Sequence, residues 1–293
     1  MNLSELIKTK KIVLLDGAMA TQLAARGAVM GGQSNIYHPE IVSEIHKDYS
    51  ECGCHILTTN TLTMNRYFIE SHNLEIDVRK VNLRGVELVK RNIKSGQYII
   101  GDISSAGKLL SPYGELEESQ AYDAFAEQAS LLLEGGVDGF IIETMPDLSE
   151  AIIALRACRD VSSLPVFVSI SFSMAKAGYR TIMGNSPHEC AVELSEAGAF
   201  AVGANCGDID PHQISEIVSE MKKNTGLPVF AQPNAGKPEL INGAVKFNMS
   251  PDEFLNGIKA CIEAGARMVG GCCGTTPEHI SAVSEYIIKN STE

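Results

Sequence analysis

The sequence lacks the features that mark several large classes of protein. It contains no tryptophan, and aromatic residues make up only 6% of its 293 residues. No apolar run approaches the roughly 20 residues of a membrane-spanning helix, so we expect no membrane span. Lysine and arginine form no cluster, and the net charge is −12. Nucleic acid and anionic membranes are therefore excluded as predicted partners.

Two further absences bear on the cellular location. The amino terminus has no basic stretch followed by an apolar one, so we expect no secretory signal. The eight cysteines are too sparse for a small secreted scaffold that is stapled by disulfides. Reduced thiols and a cytoplasmic location are the resulting expectations.

What the sequence does contain is a regular alternation of strand-like and helix-like segments. Short apolar runs rich in β-branched residues occupy residues 12–16, 55–59, 98–102, 139–143, 166–171, 199–205, 228–232 and 267–271. The longer segments between them show helical apolar spacing. These strand–helix units predict an α/β fold, a single (β/α)8 TIM barrel that forms one domain over residues 1–293. An open, doubly wound sheet is the alternative topology.

Capping residues mark several of the predicted helix ends. Ser186, Asp210 and Ser250 each precede a proline, which is typical of a capped helix start. Gly136 and Gly265 follow helical segments, at the position where a left-handed residue commonly ends a helix. These local signals support the alternation of strands and helices at its boundaries.

The polar residues that follow the predicted strands form the candidate site. In a (β/α)8 barrel the functional groups lie at the carboxyl ends of the strands. Polar or metal-binding residues follow nearly every apolar run: Asp16, residues 58–61, Asp102, Glu143, residues 169–171, Asn205, Cys206, Gln232, Asn234, Cys272 and Cys273. A turn or a cap explains one such residue about as well as function does. A complete ring of them predicts a site at this end of the barrel.

Three cysteines stand out among these residues. Cys272 and Cys273 end the last apolar run between glycines, and Cys206 ends the sixth. Three thiolates from two strand ends make a three-sulfur zinc site whose fourth position is open, which is typical of catalytic zinc. A weak oxygen ligand is expected at that position, either water or Asn234 from the intervening strand. A vicinal cysteine pair also fits two buried hydrophobic side chains, or a redox pair that gives Cys206 no role.

The other five cysteines are predicted to be structural. Cys158, Cys190 and Cys261 fall within helical segments at core spacing. Cys52 and Cys54 precede a strand, which places them at the opposite end of the barrel from the candidate site. Free cysteine is among the most buried residue types, so plain burial accounts for all five.

Particular segments resemble a known enzyme family. Residues 14–23, LLDGAMATQL, are similar to the amino-terminal signature of the zinc-dependent homocysteine S-methyltransferases. The segments around Cys206 and around Cys272-Cys273 resemble the two zinc motifs of that family. Residues 142–148, 232–236 and 271–280 are most similar to the homocysteine-binding module of cobalamin-dependent methionine synthase. The resemblance runs in order along nearly the whole chain.

This resemblance implies a metal and a reaction. It implies that a zinc ion is held by Cys206, Cys272 and Cys273, and that a methyl group is transferred to the thiol of homocysteine to give methionine. A free thiol has a pKa near 8.5 and is a poor nucleophile while protonated. Zinc binds it as the thiolate, so no catalytic residue is expected beyond the zinc-activated substrate thiol.

The resemblance also implies how homocysteine is held. Asp16 and Glu143 are the expected partners of its α-ammonium group. The backbone N–H groups of Gly17, Ala18 and Met19 are expected to bind its α-carboxylate, as helix amino termini do for anions. Asp16 has a simpler alternative role as a helix cap.

The methyl donor is predicted from what the loops lack. Betaine carries a quaternary ammonium that requires aromatic rings, and residues 60–65 contain none. We therefore expect a methyl-corrinoid, methylcobalamin, on a partner protein or domain, since the chain ends soon after its eighth predicted helix. An alternative donor is a sulfonium such as S-methylmethionine, and an alternative acceptor is another small thiol. The chain is alternatively an excised module of a longer enzyme. The non-enzymatic alternative is a subunit that binds a corrinoid protein and whose zinc is structural.

Overall fold

The computed structural model describes residues 1–241 and 244–290, which contain β-strands joined by α-helices. The strands are β1 (Val13–Leu14), β2 (Ile56–Thr58), β3 (Tyr98–Ile103), β4 (Gly139–Met145), β5 (Val166–Ile170), β6 (Ser173–Ala175), β7 (Gly178–Arg180), β8 (Ala201–Asn205), β9 (Val229–Gln232), β10 (Glu239–Ile241), β11 (Ala244–Lys246) and β12 (Ala266–Val269). The helices are α1 (Leu3–Thr9), α2 (Ala20–Ala25), α3 (Ser34–Tyr37), α4 (Pro39–Glu51), α5 (Arg66–Ser71), α6 (Val78–Lys90), α7 (Glu118–Gly135), α8 (Leu148–Val161), α9 (Pro187–Glu196), α10 (Pro211–Asn224), α11 (Pro251–Glu263) and α12 (Pro277–Asn290).

Eight of the strands form one parallel sheet that closes on itself. Their order is β1-β12-β9-β8-β5-β4-β3-β2, and each neighbouring pair is parallel. A parallel bridge between Leu15 and Ile56 links β1 to β2 and completes the ring. The predicted (β/α)8 barrel is confirmed, and the open doubly wound sheet is excluded.

Alternation along the strands divides the core into two layers. Val13 and Leu15 belong to a cluster inside the barrel, whereas Leu14 belongs to the larger cluster between the strands and the helices. This follows from the period of two in a strand, which sends successive side chains to opposite faces. Leu3 and Leu6 of α1 join the inner cluster, so the amino-terminal helix packs against the interior of the barrel.

The predicted helix boundaries are formed by the expected contacts. Ser186, Asp210 and Ser250 each accept a backbone hydrogen bond in a capping box before a proline. Gly136 is the left-handed cap that ends α7, with φ of 84°. Because both partners of each cap lie within a few residues, these features were predictable from local sequence.

Two β-hairpins were not predicted. The strands β6 and β7 pair after the fifth barrel strand, and β10 and β11 pair after the seventh. All three residues of β6 are exposed, and in β7 Tyr179 alone is buried. The hairpin therefore has no repeating apolar period that a sequence pattern can report. Both insertions lie among the loops at the carboxyl ends of the barrel strands.

The five cysteines outside the candidate site lie where they were expected. Cys54, Cys158, Cys190 and Cys261 are buried, and Cys52 is half-buried at the end of α4. Burial raises the pKa of the Cys190 and Cys261 thiols to about 12, which keeps them protonated and unreactive. Among the described helices, none is both long and apolar enough to cross a membrane.

His46 gives the fold a predictable sensitivity to acid. The residue lies in α4, is 0% exposed, and neither ring nitrogen has a hydrogen-bond partner among the described residues. Burial lowers its pKa from 6.5 to about 3. In the unfolded chain His46 takes up a proton near pH 6.5, whereas in the folded chain it stays neutral down to about pH 3. The free energy of unfolding therefore falls as the pH is lowered from 6.5 towards 3.

We expect the substitution His46→Phe to remove this acid sensitivity. Between pH 7 and pH 5 the wild type should lose about 2 kcal/mol more unfolding free energy than the variant, at about 1.4 kcal/mol per pH unit below 6.5. Urea unfolding at each pH measures the difference. Parallel stability curves for the two proteins would show that His46 is not the responsible group.

Candidate metal centre and substrate pocket

The three predicted zinc ligands lie together at the carboxyl ends of two barrel strands. Cys206 directly follows β8, and Cys272 and Cys273 follow β12. The three Sγ atoms all lie within 4.8 Å of one another. In the part of the chain that the structure describes, this is the one group of three such side chains close enough to share a metal ion.

The spacing of the sulfurs fits tetrahedral zinc. A Zn–S distance of about 2.3 Å and a tetrahedral angle require S···S separations of about 3.8 Å. The Sγ atoms of Cys206 and Cys273 are 3.9 Å apart, and none of the three cysteines is in a disulfide. The donor set and its geometry therefore suit a zinc ion.

Backbone hydrogen bonds hold the cysteine pair in place. The Cys272 N–H donates to the carbonyl of Pro233 at 2.8 Å, and the Cys272 carbonyl accepts from Thr275 Oγ1 at 2.8 Å. The Cys273 carbonyl accepts from the Ala235 N–H at 2.9 Å. Gly274 then adopts φ of 81°, a left-handed conformation that glycine enters without strain. The loop is thus rigid on both sides of the pair.

The electrostatics of the cysteines favour a bound cation. Hydrogen bonds from Cys272 and Cys273 lower the pKa of the Cys206 thiol to about 3. Hydrogen bonding with Cys206 raises the pKa of Cys273 to about 12, and raises that of Cys272 as well. The first thiolate therefore opposes formation of the next two. A divalent cation removes this opposition, because metal binding drives ligand deprotonation.

Asn234 brings an unpartnered oxygen to the same place. Its side chain is 1% exposed, its Nδ2 donates to the carbonyl of Gly207 at 2.9 Å, and its side chain also contacts Cys206. Its Oδ1 is buried and has no hydrogen-bond partner among the described residues. A buried carbonyl oxygen left without a partner is unfavourable, so the geometry suits an oxygen that binds a metal or a ligand.

Thiols and carboxyl groups line one cavity. Its volume is about 150 Å³, and an engineered cavity of about this size in another protein holds benzene, so it accommodates one small molecule. The lining includes the three cysteines, Asp16, Asp102, Glu143 and the segment Gly17, Ala18 and Met19. Among the described residues that line it, none is aromatic.

Asp16 is held by the neighbouring strand. Its Oδ2 accepts from the Thr58 N–H at 2.8 Å and its Oδ1 from Thr58 Oγ1 at 2.9 Å. The following helix, α2, has Met19 at its amino-terminal cap and no side-chain capping bond. Asp16 is therefore directed at the cavity, and the alternative role as a helix cap is not what the structure shows.

The pKa values of the three carboxyl groups are all raised. Burial raises the pKa of Asp16 to about 7. Burial, followed by the charges of Asp16 and Cys206, raises that of Glu143 to about 8. Burial and the charges of Glu143 and Asp16 raise that of Asp102 as well. Such a cluster is short of positive charge, so a ligand with a cationic group is favoured there.

Asp102 is the site residue that sequence reasoning did not single out. It lies near the carboxyl end of β3, as Glu143 does in β4. It is 5% exposed, and its Oδ1 is buried with no hydrogen-bond partner among the described residues. Its position after an apolar run placed it in the predicted ring. What the sequence did not reveal is that β3 and β1 bring it beside Asp16.

One of the three predicted carboxylate-binding amides is already engaged. The Ala18 N–H donates to Thr275 Oγ1 at 2.9 Å. Gly17 lies so close to the same loop that a Cβ on it would be 2.8 Å from Thr275 Oγ1 and from the Tyr49 hydroxyl. The segment is therefore fixed by long-range packing, and Gly17 and Met19 are its better candidates for anion binding.

The polar loops beside the cavity are tied down. Asn35 Nδ2 donates to the Asn60 carbonyl at 2.7 Å, and Asn60 Nδ2 donates to Asn35 Oδ1 at 3.0 Å. Glu150 Oε1 accepts from the Ala106 N–H at 2.7 Å, which anchors residues 104–107. Both loops are thus fixed by hydrogen bonds within the protein.

Comparison with known proteins identifies the family. The sequence model for homocysteine S-methyltransferase matches residues 13–287. The chain belongs to this family. As a member of the homocysteine S-methyltransferase family it is a methyltransferase. The family that the sequence motifs resembled is thus confirmed.

Two curated relatives are much longer than this chain, and one solved structure of similar length shares less of its sequence. The methionine synthases of Mycobacterium leprae and Mycobacterium tuberculosis are each 27% identical to this family member, over 98% and 96% of its length. The chain spans 25% of each of those proteins. The metallated form of the Escherichia coli homocysteine methyltransferase MmuM superposes with a TM-score of 0.77 at 22% identity, covering 96% of this chain and 98% of that one. At that identity the match supports the shared fold.

Proposed function

We propose that this chain transfers a methyl group to the thiol of homocysteine, giving methionine, with zinc as its cofactor. One observation carries the proposal: three thiols and three carboxyl groups face a single cavity of about 150 Å³. The thiols suit a metal that binds sulfur, and the carboxyl groups suit an ammonium group. Homocysteine has both a thiol and an ammonium group on one short chain.

The cysteines are the proposed zinc ligands. Cys206, Cys272 and Cys273 supply three sulfurs and leave one position open, as catalytic zinc sites do. Bound zinc would lower the pKa of an incoming thiol, so that it binds as the nucleophilic thiolate. Because the acceptor sulfur is then already deprotonated, the methyl transfer itself needs no general acid or base from this chain.

The carboxyl groups are the proposed ammonium site. An ammonium group has three N–H donors, and Asp16, Glu143 and Asp102 line the cavity together. Gln232 also lines the cavity, and its side chain partly offsets the raised pKa of Glu143. The backbone amides of Gly17 and Met19 are the proposed partners of the α-carboxylate. With both groups on its α-carbon held, the thiol at the other end of homocysteine would reach the cysteines.

We propose a methyl-corrinoid, methylcobalamin, carried by a partner protein or domain, as the methyl donor. The cavity has no aromatic lining among the described residues, which disfavours betaine. The methionine synthases that the chain matches are about four times its length, so a donor-bearing partner is consistent with them. A sulfonium such as S-methylmethionine is the second candidate donor. We retain a single barrel domain and a cytoplasmic location as further proposals.

A donor panel tests this function. Zinc-loaded protein and homocysteine are incubated with methylcobalamin, S-methylmethionine, S-adenosylmethionine or betaine, and methionine is measured. We expect product with methylcobalamin and none above background with betaine. Product with S-methylmethionine alone would change the donor. Absence of product with every donor, together with zinc that does not respond to homocysteine, would favour a structural zinc site.

We expect Asn234 to occupy the fourth metal position before homocysteine arrives. The substitution Asn234→Ala should retain the metal, because three thiolates remain. In cobalt-substituted protein it should change the visible spectrum without homocysteine and leave the spectrum with homocysteine unchanged, since an amide oxygen is easily displaced by a thiolate. Identical spectra for the two proteins before homocysteine is added would assign that position to water.

A further inference from the structure

Two residues beside the cavity adopt a backbone conformation that their side chains disfavour. Thr144 has φ of 57° and Cys206 has φ of 59°. The left-handed region is unusual for any residue with a Cβ, and most of all for a β-branched one. Thr144 directly follows Glu143, within the irregular part of β4 where its pairing with β5 shifts between Ile142 and Met145. Some contact must hold it there.

The contact is the side-chain amide of Asn205. The Thr144 N–H donates to Asn205 Oδ1 at 2.9 Å, and Asn205 Nδ2 donates to Thr144 Oγ1 at 2.7 Å. One amide thus binds both the backbone and the side chain of the same strained residue. Asn205 is 0% exposed, so water does not compete for these bonds.

The same amide reaches the cysteines. Ser169 Oγ donates to Asn205 Oδ1 at 2.5 Å, and Asn205 Nδ2 lies 3.8 Å from Cys272 Sγ as a donor. The orientation of the amide is fixed, because the Thr144 N–H can only donate and must therefore face the oxygen. Asn205 is also the chain neighbour of Cys206. One buried side chain therefore joins β4, β5 and β8 to the loop after β12.

We propose that Asn205 is a positioning residue for methyl transfer, an inference that rests on the function proposed above. It holds Thr144 in the left-handed conformation, and this directs Glu143 into the cavity. Its N–H group also donates to the sulfur of Cys272, and outer partners of this kind orient a metal ligand. The position of the Glu143 carboxyl group relative to the cysteine sulfurs is thereby fixed.

Two substitutions separate these roles. We expect Asn205→Ala to weaken homocysteine binding by roughly tenfold, and to weaken zinc binding by about 10–100-fold, as the loss of outer partners of metal ligands typically does. Glycine enters the left-handed region without strain. Adding Thr144→Gly to Asn205→Ala should therefore restore homocysteine binding to within a few-fold of wild type, whereas zinc affinity stays low.

The measurements do not depend on turnover. Zinc affinity is measured by competition with a chromophoric chelator, and homocysteine affinity by calorimetry on protein saturated with zinc. Asn82→Ala is the matched control, because Asn82 is also 0% exposed and donates to two backbone carbonyls, those of Met64 and Val78, but does not line the cavity. We expect it to lose stability and keep both affinities. Should Asn205→Ala not fold, Asn205→Asp keeps the acceptor, loses both donor contacts and should still weaken zinc binding.

The outcomes are distinct. Wild-type affinities in Asn205→Ala, or in Asn205→Asp where only that variant folds, would overturn the inference while leaving the proposed function intact. Equal losses in Asn82→Ala would also overturn it, because they would make the effect a general one of buried amides. Failure of Thr144→Gly to restore homocysteine binding would overturn the role assigned to the strained turn. Wild-type protein that binds neither zinc nor homocysteine would instead refute the proposed function.

Discussion

Alanine in place of any one of Cys206, Cys272 and Cys273 is expected to abolish tight zinc binding and methyl transfer together. Zinc sites built from cysteine and histidine are worth about 10–16 kcal/mol, so one thiolate of three accounts for about 3–5 kcal/mol, or roughly two to four powers of ten in affinity. The three Sγ atoms lie within 4.8 Å of one another. No other cysteine is near enough, among the described residues, to replace a lost ligand.

Metal analysis and chelator competition on the three single variants measure this effect. Cys158→Ala is the matched control, because Cys158 is a free, fully buried cysteine in α8 outside the cavity. It should lose some stability to the cavity left behind and retain its zinc. Full zinc content in any of the three ligand variants would remove that cysteine from the site.

The second large effect is expected at Glu143. Glu143→Gln keeps the size of the side chain but cannot ionise beside a bound ammonium group, so homocysteine loses a charge-assisted hydrogen bond worth about 1.5–3 kcal/mol. The KM for homocysteine should rise by roughly one to two powers of ten. Zinc content should not change, because Glu143 is not a predicted ligand.

Glu150 provides the control for this substitution. It is another buried carboxyl group, 3% exposed, but it binds the Ala106 N–H and Ser105 Oγ and does not line the cavity. Glu150→Gln should leave the KM for homocysteine within about twofold of wild type, since it contacts no substrate group. An unchanged KM in Glu143→Gln would reassign Glu143 to packing.

The features that the sequence predicted are those set by local chemistry or by the geometry of strand ends. The caps at Ser186, Asp210 and Ser250 depend on residues three positions away, so they are readable in the chain. Cys206 and Cys272 are 66 positions apart, yet both end a barrel strand. Because all barrel strands end on one face, their proximity followed from the fold prediction.

The features that escaped prediction depend on which distant residues meet. The Ala18 N–H is engaged by Thr275, 257 positions away, and Asp16 is oriented by Thr58, 42 positions away. Neither contact can be predicted from the sequence next to either residue. The left-handed turn at Thr144 was unpredictable for the same reason, because a β-branched residue argues against it locally and Asn205 imposes it from another strand.

The central claim is that three cysteines hold a zinc ion whose open position receives the substrate sulfur. X-ray absorption at the zinc edge, recorded on zinc-loaded protein with and without homocysteine, tests it most directly. The prediction is three sulfur ligands and one oxygen or nitrogen ligand without homocysteine, and four sulfur ligands with it. Four sulfur ligands before homocysteine is added, or no change on adding it, would contradict the claim.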